Sequence, residues 1–225
     1  MECKWLSDDF SEICTNGDSP ACADFCPCTE YPEICKFAEE ATEPAQADAD
    51  DRVRNDCVYY YQRDKRWDNI MFSSTGKKGQ TIGNTGAGPV TMAMILATWV
   101  DKSITPVEIA KLAVDNGYRT MNAGTAWGFF KYVAQEYMVF NKFVQTAKMD
   151  SLKDGLREGA LAICCMNMND NCFWTHGATY VVVVGYGDEY MYAFDPCKRQ
   201  HPRKQREDKF RECLKQAFIF YKQDK

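Results

Sequence analysis

The sequence predicts an α+β protein in which a central buried helix packs on an antiparallel sheet, with a small cysteine-rich appendage at the N-terminus. Three observations lead to this fold class. Residues 89–100 are apolar on nearly every side, as in a helix at the centre of a domain. After residue 142 the pattern changes to short runs of β-branched and aromatic residues bounded by turn residues. Six of the 12 cysteines lie in the first 35 residues, apart from both patterns.

Three helices are predicted before the sheet. The first covers residues 89–100 and has Pro89 in its first turn, where proline is well tolerated. The second begins at the capping box formed by Thr105 and Glu108 and ends before a glycine. The third covers about residues 125–137, where large apolar side chains recur on roughly one side of a helix.

The second half of the chain predicts strands joined by turns. A short helix with a serine at its start interrupts them at residues 151–157. The run from 179 to 186 contains four consecutive valines, which is typical of a strand buried on both faces. Helices first and strands after favour an antiparallel sheet. The predicted strands are residues 143–147, 160–166, 179–186, 190–194 and 217–221.

The charges indicate regions with different roles. Residues 1–52 hold 14 Asp and Glu residues against 3 Lys and Arg residues, and the remainder holds 18 against 24. We therefore predict a cysteine-rich segment at 1–36, an acidic linker at 37–52 and a main domain at 53–225. The linker is rich in alanine and carboxylates and almost free of large apolar residues, so we expect it to be flexible.

Composition also limits the partners and the compartment. The formal net charge of −5 argues against nucleic acid as a general partner. No apolar run approaches the roughly 18 to 20 residues of a membrane span. The first residues lack the basic-then-apolar pattern of a signal peptide. We expect no membrane span and a cytoplasmic location, and secretion stays open if a leader precedes this sequence.

The cysteine-rich segment needs a metal, disulfides or docking on a neighbour, because about 35 residues are too few for a self-sufficient core. Its six cysteines lack the paired Cys-x-x-Cys pattern of a standard zinc ribbon. Four of them can still form a tetrahedral thiolate site, which a cytoplasmic location favours. Disulfides and unpaired buried thiols stay open as alternatives. The predicted zinc ligands, which flank the segment and separate its aromatic residues, are Cys3, Cys14, Cys26 and Cys35.

Four short motifs occur in one order along the main domain. They are Gly86-Ala87-Gly88-Pro89 at the buried helix, residues 173–180 before the valine strand, Gly185-Tyr186 at its end, and Asp195-Pro196 after the next strand. In this order they resemble the double-glycine (bacteriocin-leader) peptidase family and its stand-alone relatives, which are papain-like cysteine peptidases. The resemblance covers about residues 59–221 and implies a papain-like fold for the main domain.

The resemblance gives a role to four positions. The family's nucleophilic cysteine corresponds to Ala87, and its histidine corresponds to Thr179. Asp195 matches the carboxylate that orients the histidine, and Gln80 matches a donor to the oxyanion. Alanine supplies no nucleophile, and threonine is not a base near neutral pH. The resemblance therefore implies a framework that keeps the carboxylate but lacks the thiol and the imidazole.

Two functions remain open. The chain is predicted to be a catalytically inactive homologue of these peptidases that binds an extended peptide or a protein partner. The alternative is a bacterial cysteine endopeptidase that cleaves a leader peptide after a small-residue or double-glycine site, with its nucleophile replaced here by Ala87. His176 is then the fallback base. It lies three residues before Thr179 and would act only from a loop, because an odd offset along a strand points it to the opposite face. The resemblance implies no cofactor for the main domain.

Overall fold

The computed structural model describes residues 6–7, 10–14, 52–122, 124–137, 140–167, 179–199 and 202–223. The chain divides into two compact units, Met1–Ala49 and Asp50–Lys225. In the first unit, strand β1 (Leu6–Ser7) pairs antiparallel with β2 (Phe10–Cys14). All helices and strands that follow belong to the second unit.

A long buried helix forms the centre of the second unit. Helix α1 (Ile82–Thr85) is a single turn, and after Gly86 the chain continues as α2 (Ala87–Trp99). Residues 88 to 97 of α2 are all buried, which confirms the central helix predicted from the apolar run. A Cβ on Gly86 would lie 2.6 Å from the carbonyl oxygen of Ile82, so the junction between the two helices requires a glycine.

The strands form one large antiparallel sheet and one small ribbon. The strands are β3 (Val53–Arg54), β4 (Arg119–Thr120), β5 (Gly124–Thr125), β6 (Phe140–Thr146), β7 (Leu161–Met166), β8 (Thr179–Tyr186), β9 (Tyr190–Phe194), β10 (Arg203–Arg206) and β11 (Leu214–Lys222). The sheet has the order β10-β9-β8-β7-β11-β6, with β3 beside β8, and among the described strands β4 pairs only with β5. Every described pairing is antiparallel, which confirms the predicted α+β class.

Four further helices surround this framework. The predicted capping box starts α3 (Pro106–Asp115). Helix α4 (Gly128–Glu136) begins later than the apolar pattern predicts, because the residues before it pair as β4 and β5. Helix α5 (Met149–Arg157) matches the predicted short helix, and α6 (Glu207–Cys213) lies between β10 and β11. Among the described residues, no helix combines the length and the apolar character needed to cross a membrane.

The large sheet has an apolar cluster on each face. Along β8, Tyr180, Val182 and Val184 pack in the cluster that contains α2, while Val181 and Val183 pack in the cluster that contains α5. This alternation is the period of a strand, and it places apolar residues on both faces. The four valines predict this arrangement, and all eight residues of β8 are buried.

Candidate functional site

Ala87 is the first residue of α2 and is half-buried. Its carbonyl oxygen accepts a hydrogen bond from the hydroxyl of Thr91 at 2.9 Å. No residue of the first turn of α2 is acidic, so the positive end of the helix dipole is not neutralised from within the helix. This end of α2 therefore favours a partial negative charge, such as a peptide carbonyl oxygen. The methyl group of Ala87 itself supplies no nucleophile.

Thr179 is the first residue of β8 and is 5% exposed. Its Oγ1 atom has no partner of good hydrogen-bond geometry among the described residues. The hydroxyl still lies beside the thiol of Cys197. Burial and the nearby Asp195 carboxylate raise the pKa of Cys197 to about 11, against a smaller opposing effect of the Thr179 hydroxyl. The Cys197 thiol is therefore protonated near neutral pH.

Asp195 follows β9 directly and is fully buried. Its Oδ1 atom accepts a hydrogen bond from the backbone N–H of Cys197 at 2.9 Å. Its Oδ2 atom lies 3.6 Å from Nη1 of Arg203 and has no hydrogen-bond partner among the described residues. Burial raises the pKa of Asp195 to about 6, although the Cys197 N–H and the Arg203 charge oppose this effect.

Thr125 connects the start of α2 with the start of β8. A Cβ on Gly88, the second residue of α2, would lie only 2.5 Å from Oγ1 of Thr125. The hydroxyl of Tyr180 donates a hydrogen bond to the carbonyl oxygen of Thr125 at 2.9 Å. The neighbours of Ala87 and Thr179 in sequence thus contact the same residue, so the helix end and the strand end lie in one region.

Gln62 connects α1, the turn before α2, with Cys197, which lies two residues after Asp195. Its Nε2 atom donates hydrogen bonds to the carbonyl oxygens of Ile82 at 2.9 Å and Gly83 at 3.1 Å, both in α1. Its Oε1 atom accepts a hydrogen bond from the Cys197 thiol at 3.1 Å. The side chain is buried, and two carbonyl acceptors fix the orientation of its amide. Sequence reasoning assigned no role in this site to Gln62 or Cys197, although Cys197 directly follows the Asp195-Pro196 motif. The only local signal for Gln62 is a polar residue directly after an aromatic run.

Gln80, the predicted oxyanion donor, lies two residues before α1, and its side chain bonds to other residues than those named above. Its Nε2 atom donates a hydrogen bond to the carbonyl oxygen of Met121 at 2.7 Å, and its Oε1 atom accepts one from the hydroxyl of Ser73 at 2.5 Å. The buried amide thus joins two loops. A role for Gln80 at an oxyanion stays a prediction.

Several predicted residues lie outside the described part of the chain. These are the fallback base His176 and the zinc-ligand candidates Cys3, Cys26 and Cys35, while Cys14 is described only as a strand residue. Within the described ranges, no group of three or more His, Cys, Asp and Glu side chains is placed to hold a metal ion. The zinc site therefore stays a prediction for the first unit.

A surface pocket of about 440 Å³ is lined by residues between 59 and 65 and by Arg199, four residues after Asp195. Tyr59 lines it, and its ring contacts Phe194 of β9 with the ring centroids 5.7 Å apart. Arg199 lies over the ring of Tyr61, 4.9 Å from its centroid. The pocket has aromatic walls and charged groups at its rim, which suits a side chain of a bound peptide.

The α+β fold, with a buried helix packed on an antiparallel sheet, is that of a cysteine peptidase-like domain. A family model described as the Peptidase_C39-like family matches residues 55–224. The chain belongs to this family, which confirms the resemblance drawn from the motifs. No curated protein matches the chain significantly in sequence.

Two solved structures are similar to this chain. A C39-like peptidase from Bacillus anthracis has 16% sequence identity and a TM-score of 0.54, and the match covers 78% of this chain and 100% of that one. At this identity the likeness shows the fold alone. The peptidase domain of Streptococcus ComA, a bifunctional ABC transporter of a quorum-sensing pathway, has 17% identity and a TM-score of 0.47 over 62% of this chain and 93% of that domain.

Proposed function

We propose that this chain is a catalytically inactive C39-like peptidase homologue that binds an extended peptide at the N-terminal end of α2. The observation that carries the proposal is Ala87 at the first position of that helix, where the family motif places the nucleophile. Thr179 stands at the motif position of the histidine, so neither partner of a thiolate–imidazole pair is present there. Acyl transfer through a covalent intermediate requires both groups.

Peptide binding requires neither of them. A helix N-terminus offers backbone N–H groups and a positive dipole to a peptide carbonyl. The pocket beside Tyr59 and Tyr61 can hold one side chain of the same peptide. Extended peptides bind by main-chain hydrogen bonds, with pockets that select side chains. A cytoplasmic location, expected from the sequence, belongs to this proposal and stays untested.

The proposal is tested with the full chain and synthetic leader peptides that end in two glycines. We expect saturable binding by fluorescence anisotropy and unchanged peptide mass after prolonged incubation. Ala87→Trp should abolish binding because the larger side chain fills the end of α2. The matched control, Ala147→Trp at an exposed position after β6, should bind normally. Cleavage products from the unaltered chain would overturn the proposal and support the peptidase alternative.

A further inference from the structure

The hydroxyl of Thr125 is buried against the first turn of α2. Thr125 is 5% exposed, and its Oγ1 atom has no hydrogen-bond partner among the described residues. A Cβ on Gly88 would lie only 2.5 Å from this atom, so the hydroxyl faces the second residue of the helix. Burying a hydroxyl without a hydrogen bond is costly, and most buried polar groups in folded proteins have a partner. A ligand at the start of α2 would supply a partner for this hydroxyl.

The same turn of α2 presents two further donors. The N–H groups of Ala87 and Gly88 have no acceptor within the helix, because the first N–H groups of any helix lack one. The N-cap residue is Gly86, which has no side chain that could accept their hydrogen bonds. Ala87 is half-buried, so this end of the helix is accessible to a ligand. Together with the Thr125 hydroxyl, the turn offers three donors to one ligand group.

The electrostatics of this helix end favour an anion. The family motif places the nucleophilic thiol at position 87, where the helix dipole stabilises a thiolate. Ala87 carries no charge, and no residue in the first turn of α2 is acidic. The carboxylate of Asp195 has contacts of its own, with the N–H of Cys197 at 2.9 Å and with Nη1 of Arg203 at 3.6 Å. A ligand anion would therefore supply the negative charge that the thiolate supplies in the family motif.

A buried cation lies close to the same helix end. Arg119 is 3% exposed, and its Nη2 atom lies 3.4 Å from Oγ1 of Thr85, the last residue of α1. Its Nε atom donates a hydrogen bond to the carbonyl oxygen of Phe72 at 2.7 Å, and Nη1 donates one to that of Gly124 at 3.0 Å. These acceptors are uncharged, so they hold the guanidinium in place without cancelling its charge. The bond to Gly124 also fixes the residue directly before Thr125.

We propose that this end of α2 binds the C-terminal carboxylate of a peptide. The inference rests on the proposed function, because it names the group of the bound peptide that lies at the helix end. One carboxylate oxygen would accept hydrogen bonds from the N–H groups of Ala87 and Gly88, and the other would accept one from the Thr125 hydroxyl. Hydrogen bonds to an ionised acceptor are about twice as strong as those to a neutral one, so a terminal carboxylate is favoured over an internal carbonyl.

The test uses the full chain and three peptides of one sequence that end in two glycines and carry fluorescein at the N-terminus. The first has a free C-terminal carboxylate, the second has a C-terminal amide, and the third continues for two alanines beyond the glycines. By fluorescence anisotropy, the free acid should bind at least about 10-fold more tightly than the other two. Equal affinities for the three peptides would overturn this inference and leave the proposed function standing. No binding of any peptide would overturn both.

Thr125→Val tests whether the hydroxyl takes part. Valine has nearly the shape of threonine, so the variant loses a buried hydroxyl that has no described partner and should stay folded. It should bind the free acid at least about 5-fold more weakly and the amide unchanged. The matched control, Thr146→Val, changes a half-buried threonine of β6, which β7 and β11 separate from β8, and should bind like the unaltered chain. An unchanged affinity of Thr125→Val for the free acid, or equal losses for the acid and the amide, would contradict the proposal.

Discussion

Among single residues, Asp195 has an environment far from that of an exposed aspartate. It is fully buried, and its Oδ2 atom is 3.6 Å from the Arg203 guanidinium. In an active member of the family, a carboxylate at this position would face an imidazole. Under the proposed assignment, Thr179 takes the place of that imidazole, and its hydroxyl is uncharged. The ionised carboxylate therefore lacks a strong partner on that side, and burial raises its pKa to about 6.

This environment predicts a particular dependence of stability on pH. Because the folded-state pKa is higher than the usual value of 3.8, the native state binds the proton more tightly than the unfolded state does. The resulting stability is fully present below about pH 4 and is lost as the pH rises through about 6. We expect Asp195→Asn to remove this dependence. The unfolding free energy of the unaltered chain should fall relative to the variant by on the order of 2 kcal/mol between pH 4 and 7.

Urea unfolding of both proteins at several pH values measures this difference directly. The control is Asp208→Asn, because Asp208 is exposed and its pKa is lowered chiefly by the backbone N–H of Lys209. Because the folded state lowers the pKa of Asp208, its contribution to the unfolding free energy should increase, not decrease, as the pH rises. Parallel curves for the unaltered chain and Asp195→Asn would contradict the prediction.

Replacing Gln62 should have a large effect on stability, although this residue lies outside every motif in the sequence. Gln62→Ala removes two hydrogen bonds to carbonyl oxygens of α1 and one from the Cys197 thiol, and it leaves a buried gap. We expect a loss of unfolding free energy of about 2 to 4 kcal/mol by urea unfolding. The matched control is Gln216→Ala, where a half-buried amide makes a single hydrogen bond of 3.4 Å, and about 0.5 kcal/mol is expected. Similar losses in the two variants would show that Gln62 does not hold these segments together.

The sequence predicted residues of the site only where the chemistry has a local pattern. Ala87 and Asp195 were found because each lies in a short motif next to a predictable helix or strand. Gln62 and Cys197 are 135 positions apart and meet through one hydrogen bond. Neither has a characteristic spacing, and a buried glutamine cannot be told from an exposed one by its neighbours. Long-range polar contacts of this kind become visible only when the fold is known.

At the scale of helices, Gly88 in the first turn of α2 has no room for a side chain. Replacing glycine by alanine inside a helix usually stabilises it by about 1 kcal/mol. A Cβ at Gly88 would lie 2.5 Å from Oγ1 and 2.7 Å from Cβ of Thr125. We expect Gly88→Ala to reverse the usual sign and to lower the unfolding free energy by about 1 to 3 kcal/mol.

The first residue of α4 provides the comparison. A Cβ at Gly128 would meet Tyr118 Cε1 at 3.3 Å, a contact that a small ring movement relieves. Gly128→Ala should therefore change the unfolding free energy by less than about 1 kcal/mol. Urea unfolding of both glycine variants and the unaltered chain measures the difference. A destabilised Gly128→Ala beside a neutral Gly88→Ala would show that close packing on Thr125 does not explain the glycine at position 88.

Helices and strands differed in how well the sequence predicted them. The apolar run of α2 and the valines of β8 predict their elements because both are buried on all sides. Strand β10 was missed: its sequence is Arg-Lys-Gln-Arg, and it pairs only with β9 among the described strands. An exposed edge strand needs no apolar alternation. The ribbon of β4 and β5 was missed because each strand has only two residues.

For the whole molecule, the main domain and the first 35 residues differ in composition, and so they need different means of stabilisation. The main domain has a core on each face of its sheet, and its described free cysteines include Cys57, whose pKa burial raises to about 12. The first 35 residues hold six cysteines and few large apolar residues. A segment of this size is stable only with a metal, disulfides or a partner. We propose that zinc, bound by Cys3, Cys14, Cys26 and Cys35, serves this purpose.

The full chain purified under reducing conditions should contain about one zinc per chain by elemental analysis, the content of a single four-thiolate site. Cys3→Ser combined with Cys26→Ser should lower the zinc content to near zero, because two thiolates cannot complete a tetrahedral site. Cys57→Ser removes a thiol of the main domain and should leave the zinc content unchanged. A chelator should also release about four thiols that react with a thiol reagent. A second sample, purified without reductant, tests the alternative. If it holds no zinc and the denatured chain shows more reactive thiols after reduction than before it, the segment has disulfides in place of the metal, since disulfide sulfurs are not nucleophilic thiolates.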